Sequence, residues 1–382
     1  MLGKCMSSVS HDSMNKPISV MIADDSAVVR GMLTRALEQD PAIRVVASVA
    51  DGEMALSALS CTPVDIVLLD VEMPRMDGLA ALPKILEISP NTKVIMASSL
   101  TMHGADVSVK ALSLGASDCI VKPVAHRDKD ALAQYYKELT DKIRALAGYT
   151  YTPPASTNSA AVGVRPNRDT HGGVIGSSVL NASNYPSIKP NVLAIASSTG
   201  GPQALLTIFK ALKADLKNVP IFITQHMPAN FTTILATNLS AASGRDCHEA
   251  VDGEVVVGGK VYIAPGNFHM IPKRKGADVV IQLTQDEPVN FCRPAADPMI
   301  DALVDVYGRD VLLLVLTGMG QDGYQGAKTV VERGGTVVAQ DEASSVVWGM
   351  PRAVIENNLH RAVLSLDGIA PYLHRVFMGA AL

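Results

Sequence analysis

Between residues 18 and 147, short apolar runs alternate five times with segments of helical periodicity, and this alternation restricts the fold more than any other feature of the 382-residue chain. Ile18–Ala23, Val45–Val49, Asp65–Asp70, Thr92–Ala97 and Asp118–Lys122 read as strands. The segments Ala27–Glu38, Glu53–Leu59, Leu79–Ile88, Val107–Leu114 and Asp128–Ala147 read as helices, the first of them capped by Ser26. Strands joined by helices cannot pair as hairpins. They form a doubly wound parallel sheet, and ligands of such sheets bind at the carboxyl ends of the strands.

The polar residues of this region gather at those ends. Asp24 and Asp25 follow the first strand, Asp70 closes the third, Ser98 the fourth, and Lys122-Pro123 the fifth. Three carboxylates on one edge repel one another, and a hard divalent cation with oxygen ligands, Mg²⁺, relieves that repulsion. A carboxylate beside the ion can accept a phosphoryl group, while a hydroxyl and an ammonium hold the new phosphate oxygens.

From Gly148 to Asn191 the periodicity stops. Gly, Ser, Asn and Pro predominate there without a sustained apolar pattern, which predicts a flexible connector. Alternation then resumes. The apolar run Val192–Ile195 enters the corner Ala-Ser-Ser-Thr-Gly-Gly-Pro-Gln, followed by a helix over Ala204–Leu212. Such a corner exposes a side chain at a strand end and aims free backbone N–H groups into the same space. Pro220–Thr224 reads as a strand ending in Gln225-His226, and Val311–Leu316 as a buried strand ending in Thr-Gly-Met-Gly-Gln-Asp-Gly, which contains Asp322. Helices are expected over Phe231–Leu239, Pro298–Tyr307 and Gln325–Arg333, with a further one from Pro351 and a strand at Thr336–Ala339. Short strands at Cys247–Val251, Val261–Ala264, His269–Ile271 and Val279–Leu283 predict hairpins or extensions of the sheet. Ser197 or Ser198, His226 and Asp322 thus stand at three strand ends, the constellation of nucleophile, base and orienting carboxylate. Their order, Ser then His then Asp, and the absence of a Gly-x-Ser-x-Gly elbow exclude an ordinary α/β-hydrolase.

Composition narrows the function classes. A net charge of −4 gives no electrostatic case for nucleic acid, and the apolar runs are too short to span a bilayer. Five scattered cysteines without a Cys-x-x-Cys are expected to be free thiols in a reducing compartment. The first sixteen residues carry no apolar core of a signal peptide, so a cytoplasmic location is expected.

The pieces Ala-Asp-Asp-Ser, Leu-Leu-Asp-Val-Glu-Met-Pro-Arg-Met-Asp-Gly-Leu, Ala-Ser-Ser and Val-Lys-Pro resemble the receiver domain of two-component response regulators over residues 18–147. The resemblance implies that Asp70 is the phosphoacceptor and that Asp24, Asp25, Asp70 and the backbone carbonyl of Glu72 hold Mg²⁺. It further implies that Ser98 and Lys122 sense the phosphate and that the Lys122–Pro123 bond is cis. Cys119 departs from the aromatic switch residue of many such domains.

Residues 192–378 resemble the catalytic domain of chemotaxis protein-glutamate methylesterases of the CheB type. The motifs are Ser-Ser-Thr-Gly-Gly, Ile-Thr-Gln-His-Met-Pro, Tyr-Ile-Ala-Pro-Gly, Leu-Thr-Gly-Met-Gly-Gln-Asp-Gly and Ala-Gln-Asp-Glu-Ala-Ser-Ser-Val-Val-Trp-Gly-Met-Pro. This implies Ser198 as nucleophile, His226 as base, Asp322 as its orienting carboxylate and the Met319 backbone N–H as oxyanion donor. Ala196 stands where Gly is frequent.

The whole chain is therefore expected to be α/β. A (βα)5 receiver spans 17–147, a linker 148–190, and a catalytic domain with a mostly parallel sheet 191–382. The expected activity is phosphorylation-regulated hydrolysis of glutamate methyl esters on methyl-accepting chemoreceptors, with deamidation of receptor glutamines. A chemotaxis histidine kinase would be the phosphodonor. No cofactor is expected in the esterase half, no nucleic-acid partner and no membrane insertion, and the protein is expected to be a monomer. A non-catalytic α/β binding module is the alternative.

Overall fold

The computed structural model describes residues 16–123, 129–148, 189–212, 216 and 218–378. The chain divides into two compact units, Met1–Ala147 and Gly148–Leu382. Almost all of the expected connector, the first fifteen residues and Cys5 lie outside the described residues.

The first unit runs β1 (Ile18–Ala23), α1 (Ala27–Leu37), β2 (Ile43–Val49), α2 (Gly52–Leu59), β3 (Ile66–Asp70), α3 (Gly78–Ile88), β4 (Lys93–Ser98), α4 (Met102–Ser113), β5 (Asp118–Val121) and α5 (Lys129–Leu146). Its five strands pair in parallel in the order β2-β1-β3-β4-β5. β1, β3 and β4 are buried almost throughout because both faces carry helices, which is why they read as continuous apolar runs. Polar caps start the helices: Ser26 accepts from Val29 N, Asp51 from Met54 N and Asp77 from Ala80 N. Helix α4 begins five residues earlier than its apolar periodicity suggests, because Thr101 Oγ1 accepts from Gly104 N at 3.0 Å. Lys122–Pro123 is not cis; among the described residues the cis bond is Arg293–Pro294. The two X–Pro isomers differ by only about 0.5–1 kcal/mol, so a Lys-Pro motif alone does not determine which is adopted.

The second unit runs β6 (Val192–Ser197), α6 (Gly201–Leu212), β7 (Ile221–Gln225), α7 (Phe231–Ser243), β8 (Cys247–Glu249), β9 (Val261–Ile263), β10 (His269–Lys275) and β11 (Asp278–Thr284). It continues with α8 (Ala296–Tyr307), β12 (Val311–Val315), α9 (Tyr324–Glu332), β13 (Thr336–Gln340), α10 (Met350–Glu356), β14 (Ala362–Leu364) and α11 (Leu366–Met378). Seven strands pair in parallel in the order β14-β13-β12-β6-β7-β9-β8. The short strands β8 and β9 extend this sheet, whereas β10 and β11 form a separate antiparallel hairpin packed on α8.

Alternate residues of the central strands face opposite sides. Ala194, Ala196, Leu313 and Val315 pack against Met299, Ile300 and Leu303 of α8, Ala327 and Val330 of α9, and Met350 and Val354 of α10. Leu193, Ile195, Leu312 and Leu314, equally buried, line the other face. Chain order reverses between β6 and β12, so the crevice at their carboxyl ends is the topological switch point of the sheet. Among the described residues no helix is long and apolar enough to cross a membrane.

Candidate active site

Strand register brings the three expected residues to that crevice. Ser197 pairs with Gln225 in the β6–β7 ladder, so Ser198 and His226 leave the sheet at the same level. The β12–β6 ladder continues past its last paired residues through Leu316 N to Ala196 O at 2.9 Å and Ser198 N to Thr317 O at 3.1 Å. The loop carrying Met319 and Asp322 therefore starts beside Ser198.

The two serines of the corner are not equivalent. Ser197 is fully buried, and its hydroxyl donates to Gln225 Oε1 at 2.7 Å. Gln225 Nε2 in turn donates to the Ser198 carbonyl at 2.9 Å and that of His226 at 3.3 Å, tying the two strand ends together. Ser198 is half-buried, and its hydroxyl makes no hydrogen bond among the described residues. The following turn needs glycine: Gly200 has φ +77, and a Cβ there would lie 2.5 Å from Val346 Cβ. Gly318 is constrained differently, since a Cβ there would lie 2.8 Å from Ser198 Cβ and 3.0 Å from its nitrogen. Ala196 is fully buried in β6, and a Cβ added at Gly323 would lie 3.4 Å from the Ala196 Cβ.

His226 Nε2 lies 2.7 Å from Asp322 Oδ2, with side-chain exposures of 12% and 2%. Asp322 is held from every side by donors: Ala296 N at 2.5 Å, Asp297 N at 3.2 Å, Asn290 Nδ2 at 3.0 Å and its neighbour Gly323 N at 3.1 Å. The Ala296 and Asp297 amides belong to the first turn of α8, whose positive end favours an anion. Burial alone would raise the Asp322 carboxyl, but the bonds from His226 and these donors outweigh it and hold it at about 2. Asp297, which accepts from Gly326 N at 2.7 Å, is raised to about 6 by burial and by the Asp322 charge beside it. Of the two neighbouring carboxylates, Asp322 is the stronger acid.

With Nε2 on Asp322, the free nitrogen of the neutral ring is Nδ1. Cys292 Sγ lies 3.5 Å from it. Burial lowers the His226 pKa, and Cys292 and Asp322 more than reverse this, so the ring lies above its ordinary value. The part due to Cys292 operates only when that sulfur is a thiolate; the Asp322 part is permanent. No hydrogen bond joins Ser198 Oγ to His226 among the described residues. At Met319, Gly318 N donates to Val347 O and Gly318 O accepts from Gly349 N and Met350 N, while the half-buried Met319 amide has no acceptor among the described residues.

Asn290, Cys292 and Asp297 were not expected from the sequence. They surround the histidine and its carboxylate all the same.

In the first unit, ligand oxygens of Asp24, Asp25 and Asp70 lie within 4.8 Å of one another. Lys122 Nζ bridges Asp24 Oδ2 at 2.8 Å and Asp70 Oδ2 at 2.7 Å. One ammonium against three carboxylates leaves excess negative charge. Burial raises Asp70 to about 6, with Lys122 opposing and Asp24 adding to the shift. An all-oxygen donor set of this kind fits Mg²⁺. Ser98, buried at the end of β4, receives a 2.8 Å bond from Ser108 Oγ of α4. Cys119 is buried, which pushes its thiol up to about 12.

Comparison with known proteins gives two family matches: the CheB methylesterase family over residues 193–373 and the response regulator receiver domain over residues 20–134. A protein-glutamate methylesterase/protein-glutamine glutaminase of Paramagnetospirillum magneticum is 48% identical over 377 residues, covering 94% of this chain and 96% of the relative. A protein of the same name from Azospirillum brasilense is 48% identical over 374 residues, covering 96% of this chain and 94% of the relative. Among solved structures, the catalytic domain of Thermotoga maritima CheB methylesterase is 40% identical, with a TM-score of 0.48, and covers 50% of this chain and all of that domain.

Proposed function

This chain belongs to the CheB methylesterase family, and on that premise we propose that it is a phosphorylation-regulated protein-glutamate methylesterase and protein-glutamine glutaminase acting on methyl-accepting chemoreceptors. The observation that carries the assignment of residues is the meeting of three adjacent strand ends, with His226 bonded to Asp322 and Ser198 beside the loop that holds Asp322. The relatives are named as enzymes, which gives no support to a non-catalytic binding module.

Ser198 Oγ attacks the side-chain carbonyl of the glutamate methyl ester. Its proton passes to His226 at Nδ1, because Nε2 is committed to Asp322. The Met319 N–H binds the oxyanion that forms, and Asp322 stabilises the imidazolium without taking its proton. The imidazolium then protonates the leaving methoxide, and methanol departs. Water, giving its proton to the same nitrogen, attacks the acyl-serine; the imidazolium returns that proton to Ser198 Oγ as it leaves, and the glutamate carboxylate is released. With a glutamine substrate the leaving group is ammonia and the acyl-enzyme is the same.

In the receiver, Asp70 is the phosphoacceptor, and Asp24, Asp25, Asp70 and the Glu72 carbonyl hold Mg²⁺, which when bound neutralises charge on the incoming phosphoryl group. Lys122 already bridges two of these carboxylates and pairs with the phosphate, and Ser98 contacts it after leaving Ser108. A chemotaxis histidine kinase supplies the phosphoryl group. The protein works in the cytoplasm as a monomer, without nucleic acid. The test is methanol release from methylated receptor membranes by the purified full-length protein, with and without a small-molecule phosphodonor and Mg²⁺. Release that increases with the phosphodonor is expected; no release in either condition refutes the function.

A further inference from the structure

We propose that the tight turn Val289–Cys292 is a fourth element of the esterase site, in which Cys292 is a positioning residue on the base nitrogen of His226 and Asn290 fixes the carboxylate behind it. The proposal rests on the reading of His226 as the base, and it deepens that reading by naming what sets the ring's orientation.

The turn is closed by reciprocal backbone bonds between Val289 and Cys292, Val289 N to Cys292 O at 3.1 Å and Cys292 N to Val289 O at 2.9 Å. Its two central residues, Asn290 and Phe291, have φ of +52 and +64. Two consecutive positive φ values define the type I′ hairpin turn, whose second position favours glycine. A phenylalanine there is a strained choice, and strain of this kind persists only where the surroundings over-determine the backbone. They do so here. Asn290 Nδ2 donates both to Asp322 Oδ1 at 3.0 Å and to Asp297 Oδ2 at 2.9 Å. Two residues on, Cys292 Sγ meets His226 Nδ1 at 3.5 Å. A single four-residue turn thus grips both ends of the imidazole–carboxylate pair.

The consequence follows from counting nitrogens. Asp322 accepts from Nε2, so the neutral ring has its lone pair on Nδ1, and the Cys292 thiol donates its hydrogen there. Held at both nitrogens, the ring cannot rotate about its own axis. Ser198 must take over the Nδ1 position when substrate arrives, and the weak S–H donor yields it more readily than a hydroxyl or amide would. The charged groups that face His226 are Asp322 and, when ionised, Cys292; Asp297 lies beside Asp322.

Two measurements on the full-length protein test this. The first needs no substrate. Alkylation of Cys292 by iodoacetamide at pH 7, followed by mass spectrometry of its peptide, should be several-fold faster in wild type than in His226→Ala, because an imidazole within hydrogen-bond reach draws off the thiol proton. The second is methanol release. Cys292→Ala should lower kcat by roughly 3- to 10-fold, the worth of one hydrogen bond, at unchanged KM, and should move the acid limb of the pH–rate profile to higher pH, because the thiol hydrogen that favours the neutral ring is gone. Cys292→Ser, which keeps a donor but yields Nδ1 less readily, should hold the ring and still fall below wild type in kcat, by no more than Cys292→Ala does. Equal alkylation in wild type and His226→Ala overturns the proposal. So does a Cys292→Ala enzyme with wild-type kcat and pH profile, or one that is dead while Ser198→Ala is active, which would make the thiol the nucleophile. His226-dependent alkylation in a protein that releases no methanol would uphold the pairing and refute the methylesterase reading instead.

Discussion

Replacing Asp322 with Asn keeps the shape of the side chain, removes one charge, and confronts an amide with an environment made of donors. Oδ2 faces His226 Nε2 and Ala296 N, and Oδ1 faces Asn290 Nδ2, Asp297 N and Gly323 N. Either orientation of the amide turns its NH2 toward at least two N–H groups. The stability at stake follows from the pKa. A fall from the ordinary 3.8 to about 2 corresponds to about 2 kcal/mol of preference for the charged form in the folded protein. Because the folded value lies below the unfolded one, this contribution is present above pH about 4 and is lost as pH falls through about 2. Urea unfolding of the second unit at pH 7 should therefore show a loss of about 2 kcal/mol or more. Catalysis should suffer further, because the variant no longer stabilises the imidazolium or selects the Nε2–H tautomer. A fall in kcat of roughly 10³- to 10⁴-fold is expected in methanol release. If Asp322 acts through the ring, Asp322→Asn costs little more in a His226→Ala background. An Asp322→Asn enzyme within tenfold of wild type, or full additivity with His226→Ala, would refute the triad reasoning.

Asp70→Asn should leave the resting rate of methanol release unchanged and abolish the response to a phosphodonor, with no phosphoprotein seen by mass spectrometry. Gly318→Ala should drive a methyl group against Ser198 Cβ and nitrogen, lowering kcat at least tenfold and stability by about 1–3 kcal/mol in denaturant titration. The raised His226 pKa predicts that kcat/KM keeps climbing with pH beyond about 6.5, the ordinary imidazole value, since the base must be neutral; a plateau already reached below that pH in a pH–rate profile would contradict it. The same shift means that the stabilisation His226 gains from its partners is complete below its unfolded pKa and is lost as pH rises through the folded one.

The strand ends were legible because burial on two faces writes parallel strands as continuous apolar runs, and the first polar residue after each run marks the edge. Asp70, Ser98, His226 and the pair Ser197/Ser198 were singled out in that way, and only the family resemblance chose Ser198 from the pair. Helix α4 was read short because its first turn carries Met102, His103 and Gly104 rather than apolar periodicity, and the Thr101 cap is what starts it. β14 and α11 were missed: three residues are too few for a period, and Gly368 and Pro371 interrupt the pattern of α11. The turn at Val289–Cys292 had no signature, since Asn-Phe replaces the Asn-Gly that announces such turns. Asn290 and Cys292 could not be assigned for the same reason, because their roles depend on a fold-back that brings residue 292 to residue 226. The cap role of Ser26 was evident from its neighbours alone. The separation of Ser197 from Ser198 was not, because it depends on Gln225, a residue on another strand, accepting the first hydroxyl.

The most direct measurement is methanol release from methylated receptor membranes by wild type and Ser198→Ala, side by side, with circular dichroism to establish that both are folded. The catalytic assignment predicts release by wild type and none above background by the variant, with Ser197→Ala retaining activity. Release by Ser198→Ala at a rate near that of wild type would contradict it.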